Sequence, residues 1–204
     1  MPILHQMQMS GNCYKVRLAS HQLAIPLTLK DYGLHDGTTR LPEFLRLNPN
    51  GRVPLIEFED GRTLAESGAI IFHLSEGTQL QPQSAWDRAQ MLQWMFFEQY
   101  SHEPYIAVAR FWLTFAAPER LASKRHLVPE WHAKGNAALG VMNGHLRVHD
   151  WFAGNAYSIA DIALYAYTHV AAEGGFNLAE YPSVSAWISR VKGQPRHIPL
   201  DAHW

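Results

Sequence analysis

From Ile3 to Leu64 the chain switches between two hydrophobic periods, and beyond Gln83 it keeps only one. Short apolar runs (Ile3 to Met7, Leu27 to Lys30, Leu55 to Phe58) are separated by stretches with helical spacing, Asn12 to Leu23 and Pro42 to Leu47. Strands that alternate with helices predict βαβ units, because a parallel pair needs a crossover long enough to hold a helix. Glu59, Asp60, Gly61 and Arg62 carry the Asp-Gly signal of a tight hairpin, so Thr63 and Leu64 are expected to return antiparallel to the strand that begins at Leu55. A helix from Ser67 to about Ser75 completes the order β, α, β, α, β, β, α, which predicts a small mixed sheet.

This order resembles a thioredoxin-like fold. Gly77 to Gln83, GTQLQPQ, has neither period and reads as a linker. Helical spacing then runs from Trp86 to about Phe115, with a break expected at His102, Glu103 and Pro104, and returns from Leu139 to Val148. Ser158 and Asp161 have capping-box spacing ahead of a helix from Ile159 to about Ala172, which Gly174 and Gly175 should stop. Pro182 opens a last helix, Ser183 to Lys192. The chain is thus expected to be α/β plus all-α: a thioredoxin-like domain over 1–76, a linker over 77–84 and a helical bundle domain over 85–204.

A net charge of −1 gives no field that would collect phosphate backbones, so nucleic acid is not an expected partner. One cysteine makes no internal disulfide, and no apolar run reaches the roughly 20 residues of a membrane span, so a cytoplasmic protein with no membrane partner is expected. The twelve histidines are scattered without metal-ligand spacing, and no metal is expected.

Three short stretches carry the chemistry. In NPNGRVPLIE, Pro54 precedes the strand it cannot hydrogen-bond into. A cis Val53–Pro54 bond would turn the amide and carbonyl of Val53 away from the sheet, where they can pair with a small extended peptide; protection of an edge strand is the other reading, and both stay open. In AESGAI, unpaired amides at a helix start with the Ser67 hydroxyl suit a carboxylate, and Glu66 beside them can hold an ammonium. Side by side they describe the α-amino-acid end of a ligand, although Ser67 as a simple cap is the commoner use. In MSGNCYKVR, the turn between the first strand and first helix favours an anion, with Ser10 or Asn12 as the alternative cap. Cys13 falls in the first helical turn and is read as a packed residue in preference to a reactive thiol.

In this order, and with the box in NAYSIADIAL, these stretches resemble the cytosolic glutathione transferases over essentially the whole chain. The resemblance implies glutathione as co-substrate, its cysteinyl backbone on Val53 and Pro54 and its γ-glutamyl end on Glu66 and Ser67. Theta-type members have a histidine where this chain has Gly51, so Arg52, or Thr39 and Arg40, are the candidates for the glycine carboxylate. Ser10 is the catalytic hydroxyl that the resemblance implies, because SGNCYKVR is similar to members that use serine in this turn; the absence of tyrosine from His5 to Met9 argues against the tyrosine-using classes, and Ser10 stands where beta-type members place cysteine. Asn12 is a second donor, as in nu-type members, which share a hydroxyl residue followed by asparagine and lysine and which reduce disulfides with glutathione.

A serine hydroxyl is too weak a base to take a thiol proton, but it can donate to a thiolate. Lowering a thiol pKa from about 8.5 by two units takes roughly 2.7 kcal/mol. One charge-assisted hydrogen bond at about 1.5–3 kcal/mol, with a helix amino end at about 0.3–1, suffices.

The second substrate, a small hydrophobic electrophile or a disulfide, is expected against Met9, Tyr105, Arg110, Phe111 and Trp112, although Phe111 and Trp112 read equally well as core. The family pairs as homodimers, and the contact is expected at FFEQYSHEPY, Phe96 to Tyr105. Conjugation of glutathione to electrophiles in detoxification leads. Glutathione-dependent disulfide reduction, or a non-catalytic binding or regulatory protein on the same fold, are the alternatives.

Overall fold

The computed structural model describes residues 1–34 and 36–202, which form two compact units: residues 1–78 with the chain from Pro195 onward, and residues 79–194. The terminal stretch, expected with the helices, therefore belongs to the first unit.

The first unit runs β1 (Ile3–Gln6), α1 (Gly11–Gln22), β2 (Thr28–Asp31), α2 (Pro42–Leu47), β3 (Leu55–Glu57), β4 (Thr63–Ala65) and α3 (Ser67–Leu74). Its sheet has the order β2-β1-β3-β4. β1 lies parallel to β2, with α1 as the crossover, and antiparallel to β3, His5 facing Leu55. The hairpin sets Leu55 opposite Ala65. This is the expected small mixed, thioredoxin-like sheet. Leu4, Val16, Leu18, Phe44, Leu55, Ile56, Ile70 and Ile71 fill its core. Burial of α1 continues without a polar face from Cys13 to Ser20 and takes in two cations, Lys15 and Arg17, so their head groups must be satisfied inside the unit.

The second unit is helical, from α4 (Ala85–Phe97) through α5 (Glu103–Arg110), α6 (Pro118–Ala122), α7 (Val128–Leu146), α8 (Ile159–Thr168) and α9 (Pro182–Lys192). The break expected near Pro104 is a widening to π-helical geometry over Glu98–His102. Proline lacks the amide and its ring crowds the carbonyl four residues back, which a wider turn relieves. α7 begins well before Leu139, opened by Pro129 in its first turn, because its amino-terminal part VPEWHAKG is too polar to show the period. α8 stops at Thr168, whose hydroxyl donates to Leu164 O at 2.7 Å, and the chain tightens into a 3-10 turn over Ala171–Gly174 short of the expected end. Among the described residues no helix is long and apolar enough to cross a membrane.

The box at the start of α8 forms reciprocally: Ser158 N donates to Asp161 Oδ2 at 3.0 Å and Ala160 N to Ser158 Oγ at 3.3 Å. Asp161 Oδ1 also accepts from Trp187 Nε1 at 2.9 Å and Phe152 N at 3.3 Å, so one buried carboxyl joins α8, α9 and the preceding loop. Burial pushes this carboxyl up to about 6, against the lowering pull of those donors.

Candidate glutathione site

Three turns meet at one end of the sheet. β1 ends at Gln6, β3 starts at Leu55, and the facing of Leu55 with Ala65 sets Val53 and Pro54 beside Glu66. The first and third turns are joined directly, since Ser67 Oγ donates to Asn12 Oδ1 at 3.3 Å. Lys15 Nζ donates to the same oxygen at 2.8 Å. An ammonium only donates, so it fixes which end of the Asn12 amide is the acceptor and leaves Nδ2 as the donor end.

Ser10 caps α1, its oxygen accepting from Cys13 N at 3.3 Å. Capping and donation are compatible, because an oxygen that accepts from an amide still has its own hydrogen to give. Cys13 is buried, with Met7 N donating to its Sγ at 3.4 Å, and burial pushes its thiol up even though Ser10 and Met7 pull it down. It is a packed residue, and a neutral thiol competes weakly for a hydroxyl that a thiolate would attract.

The Val53–Pro54 bond is cis. The loop before it is organised by Asn48, which is buried, donates from Nδ2 to Arg52 O at 2.7 Å and accepts from Asn50 N at 3.1 Å. Gly51 has φ +63, and a Cβ there would come within 2.6 Å of Arg40 Nη1 and 2.9 Å of Thr39 O. The Arg40 guanidinium, held by a 2.9 Å bond to Asn50 O, lies where a residue-51 side chain would begin. Arg52 is exposed.

Glu66 stands at the start of α3 with φ 67 and ψ 116, a conformation that costs a non-glycine residue about 1–3 kcal/mol. It makes no side-chain cap, and no acidic residue occupies the first turn of α3. Glu66→Gly is expected to raise stability by about 1 kcal/mol in urea unfolding, as the strain outweighs glycine's entropy. A fall in stability would mean that the conformation is not a strained one.

The residues expected around the second substrate divide. Met9 is exposed beside Ser10. Arg110 is a correction: it is 3% exposed and its Nε donates to Glu173 at 2.7 Å, with the guanidinium 4.9 Å from the Phe115 ring, so its charge is used within the second unit. Tyr105, Phe111 and Trp112 are half-buried. Lys134 Nζ sits 5.1 Å from the Tyr105 ring and the Arg120 guanidinium 5.7 Å from that of Trp112, while Trp112 stacks on Trp131 at 6.5 Å. His102 is buried and bonded to Thr168 Oγ1 at 2.9 Å. Among the described residues no group of three or more His, Cys, Asp or Glu is placed to hold a metal ion.

Sequence reasoning passed over Arg17, which donates to Gln8 O within the first turn. A cation in the apolar run Val16, Leu18, Ala19 was the available signal, but its partners are backbone carbonyls distant in sequence.

Sequence models of the glutathione S-transferase N-terminal and C-terminal domains match residues 9–76 and 94–195. A glutathione S-transferase from Pseudomonas fluorescens has 46% identity and a TM-score of 0.94, covering 98% of both chains. The disulfide-bond oxidoreductase YfcG of Escherichia coli is 29% identical over 90% of this chain and 87% of its own. Ure2p in complex with S-p-nitrobenzylglutathione has 26% identity and a TM-score of 0.84, over 96% of this chain and 91% of that one. The chain belongs to the glutathione S-transferase family.

Proposed function

We propose that this chain is an enzyme that binds glutathione at the three turns of its first unit, holds the sulfur as a thiolate and transfers it to small electrophiles. The observation that carries the reading is the Ser67–Asn12 hydrogen bond, which brings the thiolate turn and the amino-acid site of α3 to one place. Glu66 takes the γ-glutamyl ammonium, Ser67 and the first amides of α3 its carboxylate, and Val53, ahead of Pro54, the cysteinyl backbone. Arg40 takes the glycine carboxylate with Thr39 beside it; the clash that any residue-51 side chain would meet favours Arg40 over Arg52. Ser10 donates to the sulfur, with Asn12 as second donor, and Met9 borders the electrophile. The glutathione derivative held by the similar Ure2p supports the choice of ligand. No metal is used.

Disulfide reduction is a second reading, favoured by the Lys15–Asn12 pair and by the likeness to YfcG. Here the same thiolate attacks a disulfide sulfur, one thiol leaves, and a second glutathione resolves the mixed disulfide, giving oxidised glutathione and two thiols. The intact Ser10, Glu66 and Ser67 favour either enzyme over a binding protein on this fold. Assays with a chloronitrobenzene and with a mixed disulfide, run side by side, separate the two. Conjugation that falls about tenfold or more in Ser10→Ala, assayed at about pH 5.5 where rate follows the thiolate fraction, is the expected result, since one charge-assisted bond is worth at least about 1.4 kcal/mol. Disulfide turnover without conjugation overturns it in favour of the second.

We further propose a cytoplasmic homodimer. Phe96 and Tyr100, 69% and 85% exposed within the segment expected to form the contact, and Trp86 at 72%, are large apolar side chains that a second copy would cover.

A further inference from the structure

The chain from Arg196 to Ala202 is gripped through its backbone. Alternate carbonyls, those of Arg196, Ile198, Leu200 and Ala202, each accept from a side chain of the first unit. His21 Nδ1 donates to Arg196 O at 2.7 Å, Tyr14 Oη to Ile198 O at 2.6 Å and Arg17 Nη2 to Leu200 O at 2.7 Å. Positions 14, 17 and 21 share one face of α1, so the helix offers the strap a row of donors. At the far end Gln8 Nε2 donates to both Leu200 O at 3.0 Å and Ala202 O at 2.9 Å. The buried Leu200 side chain anchors the same point.

The grip converges on the turn that carries Ser10. Arg17, fully buried, spans it: Nη2 donates also to Gln8 O at 2.8 Å, and Nη1 to Gln6 Oε1, while Gln6 in turn donates to Asp31. The side chain and carbonyl of Gln8 are thus both tied to the strap or to the guanidinium that holds it, two residues before Ser10. Burying that guanidinium against neutral oxygens is costly, and with Nε buried without a partner the cost is offset only through Nη1 and Nη2, so the sites of their acceptors are strongly specified.

We infer that the C-terminal strap and Arg17 are positioning elements for the thiolate turn, setting the Ser10 hydroxyl through Gln8. This rests on the reading that Ser10 holds the glutathione thiolate. A hydroxyl displaced by a fraction of an ångström loses much of its bond to an anion, while the ligand's other contacts stay in place.

The test is Gln8→Ala, which removes both strap bonds at the turn, beside His21→Ala, which loosens only the remote end. In Gln8→Ala the pKa of bound glutathione should rise by roughly 0.5–1 unit and kcat at about pH 5.5, below that pKa, should fall about three- to tenfold, with KM for glutathione within about twofold. Exchange of the amides of residues 8–13 should quicken about tenfold while those of α7 to α9 are unchanged. In His21→Ala the thiolate pKa should match wild type. Bound glutathione that titrates in Gln8→Ala as in wild type overturns the inference and leaves the glutathione reading standing. Should wild type bind no glutathione, that reading fails, and unchanged amide exchange in Gln8→Ala then also overturns the strap as a support of the turn.

Discussion

Asp161→Ala is expected to remove about 3–5 kcal/mol of stability, a large part of what a domain of this size holds. The carboxyl is fully buried and serves Ser158 N, Phe152 N and Trp187 Nε1 at once. Its loss leaves each donor buried without that acceptor, at about 1–3 kcal/mol apiece before relaxation, and removes the capping box of α8. The check is the urea midpoint of the second unit's helical signal; a shift worth under about 1 kcal/mol would mean that water or rearrangement replaces the carboxyl. The same residue gives a pH signature of defined sign. Its folded pKa of about 6 lies above the ordinary 3.8, so its contribution is greatest below about pH 4 and is lost as pH rises through about 6. That leg amounts to roughly 3 kcal/mol; it should appear in the difference between wild type and Asp161→Asn and be missing from the pH profile of the variant itself.

The fold was legible where one residue type dictates one local geometry. Asp60-Gly61 marked the hairpin and Ser158 with Asp161 the start of α8, and both stand in the structure; Pro54 left two readings open, of which the cis bond is present. The three turns of the proposed site were legible for the related reason that short sequences specify turns and helix starts. What stayed hidden depends on partners far along the chain. Arg110 looked like a cation for a ligand until Glu173 was found beside it. The strap could not be read at all, because it is held by its carbonyls, which every residue has. Nor could the sequence tell which of Arg40 and Arg52 lies against Gly51, where the structure has Arg40.

Ser10→Ala carries the largest functional effect. The turn can supply one charge-assisted bond of about 1.5–3 kcal/mol from Ser10 and about 0.3–1 kcal/mol from the amino end of α1. Together they lower a thiol from about 8.5 by about two units, to roughly 6.5. Removing the hydroxyl returns one to two of those units, about 1.4–2.7 kcal/mol, and leaves Asn12 and the helix end with the remainder. The Cys13 amide also loses its cap, which costs about 1 kcal/mol of stability. That cost is measured separately by unfolding, and it does not move a thiol titration.

The direct measurement is the ultraviolet absorbance of the thiolate, followed against pH with glutathione bound to wild type and to Ser10→Ala. The expected result is a bound thiol titrating about two units below free glutathione, moving up by one to two units in the variant. Bound glutathione that titrates at about 8.5 in wild type, or a chain that binds none, contradicts it.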